Sequence, residues 1–190
     1  MRTCLRYLPI ACLAFNIQAQ EDKPVLMDMR IPGKDRDWRV VNDGVMGGLS
    51  EGRVTTETDH VRFSGVLSLE NNGGFASMRT DRDFNLKGSS GVRLRVRGDG
   101  RTYQVRFQTD RRFRRNWPVS YSGEFRTEKG VWTEVVVPFG SLKQSFRGRE
   151  LSGYDFDPAK IQLFGILLAD KKPGAFCLDV QWVRAESEAD

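Results

Sequence analysis

The sequence predicts an all-β domain, an antiparallel β-sandwich of the jelly-roll type. Short apolar runs alternate with a period of two residues, and Gly, Asn, Asp and Pro bound these runs. No window has the periodicity of an amphipathic helix, and residues 139–146 make at most one helical turn. The chain has 190 residues, of which 39% are hydrophobic, so it is long enough for one domain with a buried core.

Residues 1–19 have the pattern of a secretory signal peptide. Arg2 and Arg6 precede an apolar block at residues 8–15, and Ala19 is a small residue before the predicted cleavage position. A mitochondrial presequence is the alternative, but the small number of arginines, the absence of serine and the compact apolar block argue against it. We therefore expect an exported protein, periplasmic or secreted. It is not expected to span the membrane, because no apolar run reaches the ~18 residues of a membrane span.

The rest of the chain divides into three predicted parts. Residues 20–37 are polar and contain two prolines, which predicts a loosely ordered lead-in; residues 38–186 form the sandwich domain, and residues 187–190 are a tail. After removal of the signal peptide Cys177 is the only cysteine, so we expect a monomer without an internal disulfide and with a buried, inert thiol. Strands are predicted at residues 61–69, 75–80, 92–97, 103–108, 131–137, 161–169 and 176–182, of which 161–169 is apolar on both faces like a central strand.

Two segments, residues 42–52 and 69–79, are dense in Gly, Asn and Asp, which favour tight turns with positive φ. We expect the two loops to lie close together at one end or edge of the sandwich, with the Asp43 carboxylate accepting hydrogen bonds from nearby amides. Purely structural loops are the alternative to a binding site. The candidate binding residues of these loops are Asp43, Met46, Asn71, Asn72, Phe75 and Arg79.

Arg79 shares a strand face with Phe75 and Ser77. If that face points inward, the Arg79 guanidinium needs a carboxylate, and we predict Asp43 or Glu70 as its partner. A structural ion pair and a binding role are both open for this residue.

The two loops and several later positions resemble the complex I intermediate-associated protein 30 family over residues 38–183. The resemblance implies a galactose-binding-like β-sandwich and a non-enzymatic, chaperone-like role, since mitochondrial members assist the assembly of respiratory complex I. Because the predicted export separates this chain from that compartment, the fold is expected to carry over and the assembly role is left open. The matching residues are Asn42-Asp43-Gly44-Val45-Met46-Gly47-Gly48 with Ser50, Asn71-Asn72-Gly73-Gly74-Phe75-Ala76-Ser77 with Arg79, Gly98-Asp99-Gly100-Arg101 with Tyr103, Tyr121, Phe125, Trp132, Pro138-Phe139, Arg147-Gly148, Gly174 and Phe176.

Arginine is concentrated in residues 93–126, which contain ten arginines and three acids. Such a basic surface predicts an anionic partner: an acidic glycan, a phospholipid head group or, least favoured for an exported protein, nucleic acid. A solvated outer face of the sheet without a partner is the alternative. Strand alternation predicts one exposed face that carries Arg93, Arg95, Arg97 and Arg106.

We expect a non-catalytic module that binds a protein or an anionic partner, without cofactor or metal. A carbohydrate-binding module is the alternative, and it should carry two or three coplanar exposed aromatic side chains on one face. A glycan-active enzyme is the third hypothesis, but no hydrolase motif surrounds the available carboxylates. Asp155 and Asp157 are better explained by a turn or a weak calcium ligand pair, and His60 by a surface position.

Overall fold

Two antiparallel sheets form the computed structural model, which describes residues 25–31, 33, 37–114 and 116–187. Helical segments in this part of the chain are limited to the 3-10 turns Asp43–Met46, Glu70–Asn72, Phe139–Ser141 and Pro158–Lys160. None of these described segments has the length and apolar character of a membrane-crossing helix. The strands are β1 (Val25–Asp28), β2 (Arg39–Asn42), β3 (Glu51–Thr56), β4 (Val61–Leu67), β5 (Ala76–Thr80), β6 (Gly91–Arg97), β7 (Thr102–Phe113), β8 (Trp117–Arg126), β9 (Trp132–Pro138), β10 (Lys143–Phe146), β11 (Arg149–Glu150), β12 (Ile161–Leu168) and β13 (Gly174–Glu186).

The strand order confirms the predicted antiparallel sandwich. One sheet has six strands in the order β3-β4-β13-β6-β9, with β1 also paired to β13. The other sheet has seven strands in the order β11-β10-β8-β7-β12-β5-β2. Some neighbours are consecutive strands, such as β3 with β4 and β7 with β8. Others are far apart in sequence, such as β13 with β4 and β6, so long-range pairing is needed to complete each sheet.

The core lies between the two sheets and is built from alternate residues of each strand. On β7, Tyr103, Val105 and Phe107 are completely buried, whereas the residues between them are half-buried on the opposite face. Phe107 packs against the rings of Phe139 and Phe164, at centroid distances of 5.9 and 5.5 Å. The outward residues therefore form two outer surfaces, which we call the six-stranded face and the seven-stranded face.

The predicted central strand is confirmed, whereas the lead-in differs from the prediction. β12 lies between β7 and β5 and is buried at every position except Gln162. β1 falls within the expected lead-in, yet it pairs with β13, and Leu26 and Met27 are each 2% exposed. Its four residues carry no period-two signal, and its register with β13 shifts between Val25 and Met27, so the sequence pattern did not mark it as a strand.

Candidate functional site

The carboxylate of Asp43 joins the two glycine-rich loops. Asp43 begins the 3-10 turn after β2 and is 0% exposed. Its Oδ1 accepts from the Ser50 amide at 2.9 Å, and its Oδ2 accepts from the Ser50 hydroxyl at 2.5 Å. Oδ2 also accepts from the amides of Gly74 at 2.6 Å and Phe75 at 3.1 Å in the second loop. The predicted proximity of the two loops is therefore confirmed.

These hydrogen bonds keep Asp43 in its charged form. Burial raises the pKa of the Asp43 carboxyl, but the bonds from Ser50, Gly74 and Phe75 outweigh burial and lower the pKa below its ordinary value. Because the pKa is lower in the folded state, the carboxylate stabilises the fold above about pH 4, the pKa of an unfolded Asp. That stabilisation is lost as the pH falls through the folded pKa.

Each of the two Gly-Gly pairs contains one glycine with a positive φ angle and one glycine packed closely against Asp43. Gly47 and Gly74 have φ angles of 90° and 120°, which L side chains rarely adopt. A Cβ on Gly48 would collide with the Asp43 carboxyl group, and a Cβ on Gly73 would lie 2.7 Å from Asp43 Oδ2. One glycine of each pair is thus required by its backbone conformation and the other by the space that Asp43 occupies.

Replacing Gly48 by Ala should lower the stability of the domain by about 2 kcal/mol, since the new methyl group must displace the Asp43 carboxylate from its donors. Gly44→Ala is the matched control in the same loop, because a Cβ at Gly44 meets nothing within 4 Å. Urea unfolding of both variants measures the difference. Equal stability of the two variants would contradict the assigned role of Gly48.

The Asp43-centred loop exposes three apolar side chains, Val45, Met46 and Leu49, which we call the loop patch. Their exposed fractions are 73%, 62% and 52%. Met46 therefore lies at the surface and does not fill the core. In the second loop, Asn71 and Asn72 are exposed at left-handed φ angles of 52° and 58°, and Phe75 is half-buried.

Arg79 does not pair with Asp43 or Glu70, so the predicted ion pair is wrong. The face that Arg79 shares with Ser77 points away from the core, because the alternate residues Ala76 and Met78 belong to the hydrophobic core between the sheets. The Arg79 Nε donates to Ser77 Oγ at 3.0 Å. Within the described part of the chain, Arg79 makes no ion pair, and the Asp43 oxygens are occupied by the two loops.

Three of the candidate arginines lie on the six-stranded face, where acids of neighbouring strands pair with them. Asp179, which accepts from two arginines, is 3% exposed beneath their side chains. The three acids compensate most of the charge of the four arginines that they contact, so this face is less basic than its arginines alone predict. The pairs are Arg93 with Glu186 at 2.7 Å, Arg95 with Glu134 at 3.5 Å, Arg97 with Asp179 at 2.7 Å and Arg62 with Asp179 at 2.7 Å.

Arg106 lies on the other side of the sandwich, so the prediction of a single face for all four arginines is wrong. β6 belongs to the six-stranded sheet and β7 to the seven-stranded sheet, because residues 98–101 lead the chain across from one to the other. The Arg106 Nη2 donates to Ser120 Oγ at 2.8 Å. Its Nε is buried and has no hydrogen-bond partner among the described residues.

Three arginines cross the seven-stranded face at one level of the strand register. Arg39 of β2 lies opposite Arg79 of β5, Arg79 lies opposite Gly165 of β12, and Gly165 lies opposite Arg106 of β7. We call Arg39, Arg79 and Arg106 the arginine row. Gly165 was not a candidate from the sequence, although an isolated glycine inside an apolar strand indicates a close approach. A Cβ at Gly165 would lie 3.1 Å from Arg79 Cγ, so the Arg79 stem extends over β12 toward Arg106.

No aromatic platform surrounds the arginine row among the described residues. The outward positions beside it on the described strands β5, β7, β8 and β12 carry no aromatic side chain. Trp117, at the start of β8, is 45% exposed and packs against Phe146 at a centroid distance of 5.2 Å, away from the row. The carbohydrate-binding alternative, which expects coplanar exposed aromatic rings, therefore gains no support from this face. The outward residues that surround the arginine row are Ser77, Gln104, Gln108, Ser120, Ser122, Leu163 and Leu167.

The remaining sequence candidates have structural environments. The Asp157 carboxylate accepts from the Ala159 amide at 3.0 Å and caps the turn Pro158–Lys160, as the turn interpretation predicts. Cys177 is half-buried, and burial raises the pKa of its thiol, which keeps it in the unreactive protonated form. The His60 side chain is only 13% exposed, contrary to the expected surface position, and its Nδ1 lies 2.8 Å from Asp59.

Comparison with protein families matches residues 27–180 to the family described as complex I intermediate-associated protein 30. An uncharacterized protein of Schizosaccharomyces pombe is 30% identical over 154 residues, which cover 70% of this chain and 69% of the relative. The mitochondrial complex I intermediate-associated protein 30 of Mus musculus is 29% identical over 167 residues, and that of Drosophila melanogaster is 26% identical over 190 residues. These matches cover 77% and 85% of this chain but 51% and 62% of the relatives, so the chain corresponds to only part of each named protein.

Solved structures with this fold include carbohydrate-binding modules. A family 11 module of a Clostridium thermocellum cellulase has a TM-score of 0.63 at 11% identity, covering 88% of this chain and 96% of the module. The same family in complex with a mixed-linked tetrasaccharide gives a TM-score of 0.60 at 13% identity, covering 87% of this chain and 95% of the module. At these identities the likeness establishes the galactose-binding-like sandwich and nothing about the ligand.

The expected export is contradicted by the relatives. The named proteins of mouse, Drosophila melanogaster and two Caenorhabditis species are mitochondrial. The predicted periplasmic or secreted location is therefore wrong, whereas the interpretation of residues 1–19 as a signal peptide stays a prediction. Arginines and apolar residues occur in both secretory and mitochondrial leaders, so their composition does not decide the compartment. Residues 1–19 lie outside the part of the chain that the structure describes.

Proposed function

Because the chain belongs to the complex I intermediate-associated protein 30 family, we propose that it is a non-catalytic assembly factor that binds a protein partner during assembly of respiratory complex I. Residues 27–180, which match the family, include both glycine-rich loops and most of the two sheets. The binding surface in this proposal is the loop patch.

The observation that carries the proposal is the exposure of the loop patch on a loop that is held rigidly. Val45 and Met46 expose 73% and 62% of their surface, although they follow closely after Asp43, which is completely buried. Hydrogen bonds from Ser50, Gly74 and Phe75 hold Asp43 in place from both loops. A preordered loop loses little conformational entropy when a partner binds, which favours affinity. Met side chains are common at adaptable protein surfaces, because they are unbranched and polarizable.

The same geometry favours a non-catalytic role for Asp43. Its carboxylate is 0% exposed, and hydrogen bonds from within the protein occupy both of its oxygens. A general acid or base must reach a proton of the substrate, which this carboxylate cannot do without breaking the loop contacts. Asp43 therefore supports the binding surface and does not touch a ligand.

Site-specific cross-linking of the full-length chain in its own cells tests the proposal. A photoreactive residue in place of Val45 should form cross-links to a subunit of complex I or of an assembly intermediate, identified by mass spectrometry. The matched control is the same residue in place of Val131, which is 48% exposed on another loop and should not give these products. Adding Met46→Ser to the Val45 probe should lower the cross-linking yield about tenfold, which corresponds to roughly 1.4 kcal/mol of lost binding.

Two results would refute the proposal. The first is the absence of any respiratory-complex protein among the products of the Val45 probe. The second is the same set of products from the Val45 and Val131 probes, which would indicate non-specific proximity. Circular dichroism of each variant confirms that the sandwich is intact before the products are compared.

A further inference from the structure

Arg79 and Arg106 are half-buried on the seven-stranded face, and in the part of the chain that the structure describes neither forms an ion pair with a carboxylate. Within the described residues, Arg79 donates only to Ser77 Oγ at 3.0 Å, and Arg106 donates only to Ser120 Oγ at 2.8 Å. The Arg106 Nε is buried without a partner. Carboxylates contact the guanidinium groups of Arg39, Arg62, Arg93, Arg97 and Arg101.

The positive charges of Arg79 and Arg106 are destabilised in the free protein by burial and by their mutual repulsion. Burial, together with repulsion by Arg106 and Arg39, lowers the pKa of Arg79 to about 10, although the Asp81 carboxylate acts in the opposite direction. Burial also lowers the pKa of Arg106. Two partly desolvated guanidinium groups that repel each other favour the binding of an anion, which compensates both charges at once.

The strand register brings the two arginines to the same place. Gly165 lies between them on β12, opposite Arg79 on one side and Arg106 on the other. Strands in a sheet are about 4.8 Å apart, so the two arginines start roughly 10 Å from each other across β12. Because Gly165 has no side chain, the Arg79 stem packs directly on β12, in the space that a side chain at position 165 would fill. The Arg79 guanidinium group is thereby brought close enough to Arg106 for the two charges to repel each other.

We propose that Arg79 and Arg106 bind the phosphate group of a phosphate monoester above Gly165 on the seven-stranded face. Two guanidinium groups match a dianion, and a phosphate monoester carries about −1.5 to −2 charges at neutral pH, whereas a carboxylate carries one. Planar guanidinium groups also donate to two oxygens of a phosphate at once. The neighbouring Ser122 offers a hydroxyl to a polar, hydroxyl-bearing remainder of the ligand, and Gln104 and Gln108 offer their amide oxygens to it. The amide nitrogens of these two glutamines already donate, to Glu124 at 3.4 Å and to Ser120 at 3.2 Å. This site is distinct from the loop patch and does not depend on the proposed assembly role.

Titration of the full-length protein with inorganic phosphate and with glucose 6-phosphate, at constant ionic strength, tests the proposal by calorimetry and thermal unfolding. We expect saturable binding of both probes and a rise in Tm. Arg106→Gln should weaken binding at least tenfold, and it should not lower the Tm of the free protein, because it removes a desolvated charge. Arg79→Gln should have the same effect on binding and provides a second test if Arg106→Gln does not fold.

Arg95→Gln is the matched control. It removes the same charge from the six-stranded face, where Arg95 lies 3.5 Å from Glu134, and it should leave phosphate binding unchanged. Equal losses of phosphate binding in Arg106→Gln and Arg95→Gln would show that binding depends only on the overall charge of the protein, and this result would overturn the site. Absence of binding by the unchanged protein would also overturn it. Glucuronate, a carboxylate on a similar sugar, should bind at least tenfold more weakly than glucose 6-phosphate, and equal or tighter binding of glucuronate would overturn the assignment to phosphate.

Discussion

Asp43→Ala should destabilise the domain by about 4 kcal/mol at neutral pH, which corresponds to a decrease in Tm of roughly 12 °C for a domain of this size. The carboxylate is completely buried and accepts four hydrogen bonds from Ser50, Gly74 and Phe75. Alanine leaves those donors without an acceptor in a site that excludes water, and unsatisfied buried donors are costly. Thermal and urea unfolding of the full-length protein measure the loss.

The variant Asp43→Asn and the pH dependence of stability distinguish the hydrogen bonds of the Asp43 carboxylate from a simple packing effect. Asn at position 43 can direct its carbonyl to Gly74 and Phe75, but its NH2 group then faces the Ser50 amide, so Asp43→Asn should lose about half as much stability. The pKa of Asp43 is lowered in the folded state. The difference in free energy of unfolding between wild type and Asp43→Ala should therefore be largest above about pH 4 and should decrease as the pH falls below that value. Asp83→Ala, at an exposed carboxylate, is the control and should change little. A Tm of Asp43→Ala close to that of Asp83→Ala would contradict the stabilising role of the Asp43 carboxylate.

Arg101→Met should destabilise the domain by about 3 kcal/mol, the second largest effect that we expect. Arg101 and Asp170 have side chains that are 11% and 7% exposed, and they form a bidentate pair with distances of 3.0 and 2.6 Å. Arg101 also donates to the carbonyl groups of Lys172, Gly174 and Ala175, so it fastens the chain before β7 to the loop between β12 and β13. Met preserves much of the side-chain volume but leaves the Asp170 charge buried and unpaired.

Two further variants test the mechanism of this loss. Arg101→Lys keeps the charge but not the planar fork, so it should lose about half as much stability as Arg101→Met. Adding Asp170→Asn to Arg101→Met removes the unpaired charge and should recover part of the stability. Arg126→Met, at an exposed arginine, is the control for loss of one positive charge. Chemical unfolding curves of these four variants, measured beside wild type, provide the comparison. Equal stability of Arg101→Met and Arg126→Met would show that the ion pair of Arg101 with Asp170 does not stabilise the domain.

These expected losses bear on the proposed function, because Asp43 holds the loop that carries Val45 and Met46. If the loop patch binds the partner, Asp43→Ala should reduce binding through disorder of the loop even at temperatures at which the sandwich is folded. Arg101→Met should have a smaller effect on the loop patch, because Arg101 contacts Asp170 and the start of β13, and its loss removes none of the hydrogen bonds to Asp43. Its one route to the glycine-rich loops is Lys171, whose side chain lies beside Gly74. The two variants thus distinguish local support of the loop patch from general stability.

Local sequence patterns were enough to predict the fold class, the central strand and the proximity of the two loops. Period-two alternation is a local property of each strand, and it is readable where apolar residues recur strictly, as in β6 and β7. The glycine-rich loops were readable because turns need particular residues at particular positions, and the resemblance of those residues to a known family led to the correct family. β1 had no such signal, because its four residues are held in the sheet by their pairing with β13.

Which outward arginines lie beside a carboxylate could not be predicted from local patterns, because it depends on the pairing of distant strands. Alternation predicts that Arg95 and Arg106 both point outward, but it does not assign β6 and β7 to different sheets, because pairing joins strands that are distant in sequence. The acid partners of Arg95 and Arg97 come from β9 and β13, whereas the outward neighbours of Arg79 and Arg106 are serines and Gly165. Whether an arginine is part of an ion pair or of a binding site therefore depends on long-range strand pairing, which is set by the packing of the whole sandwich.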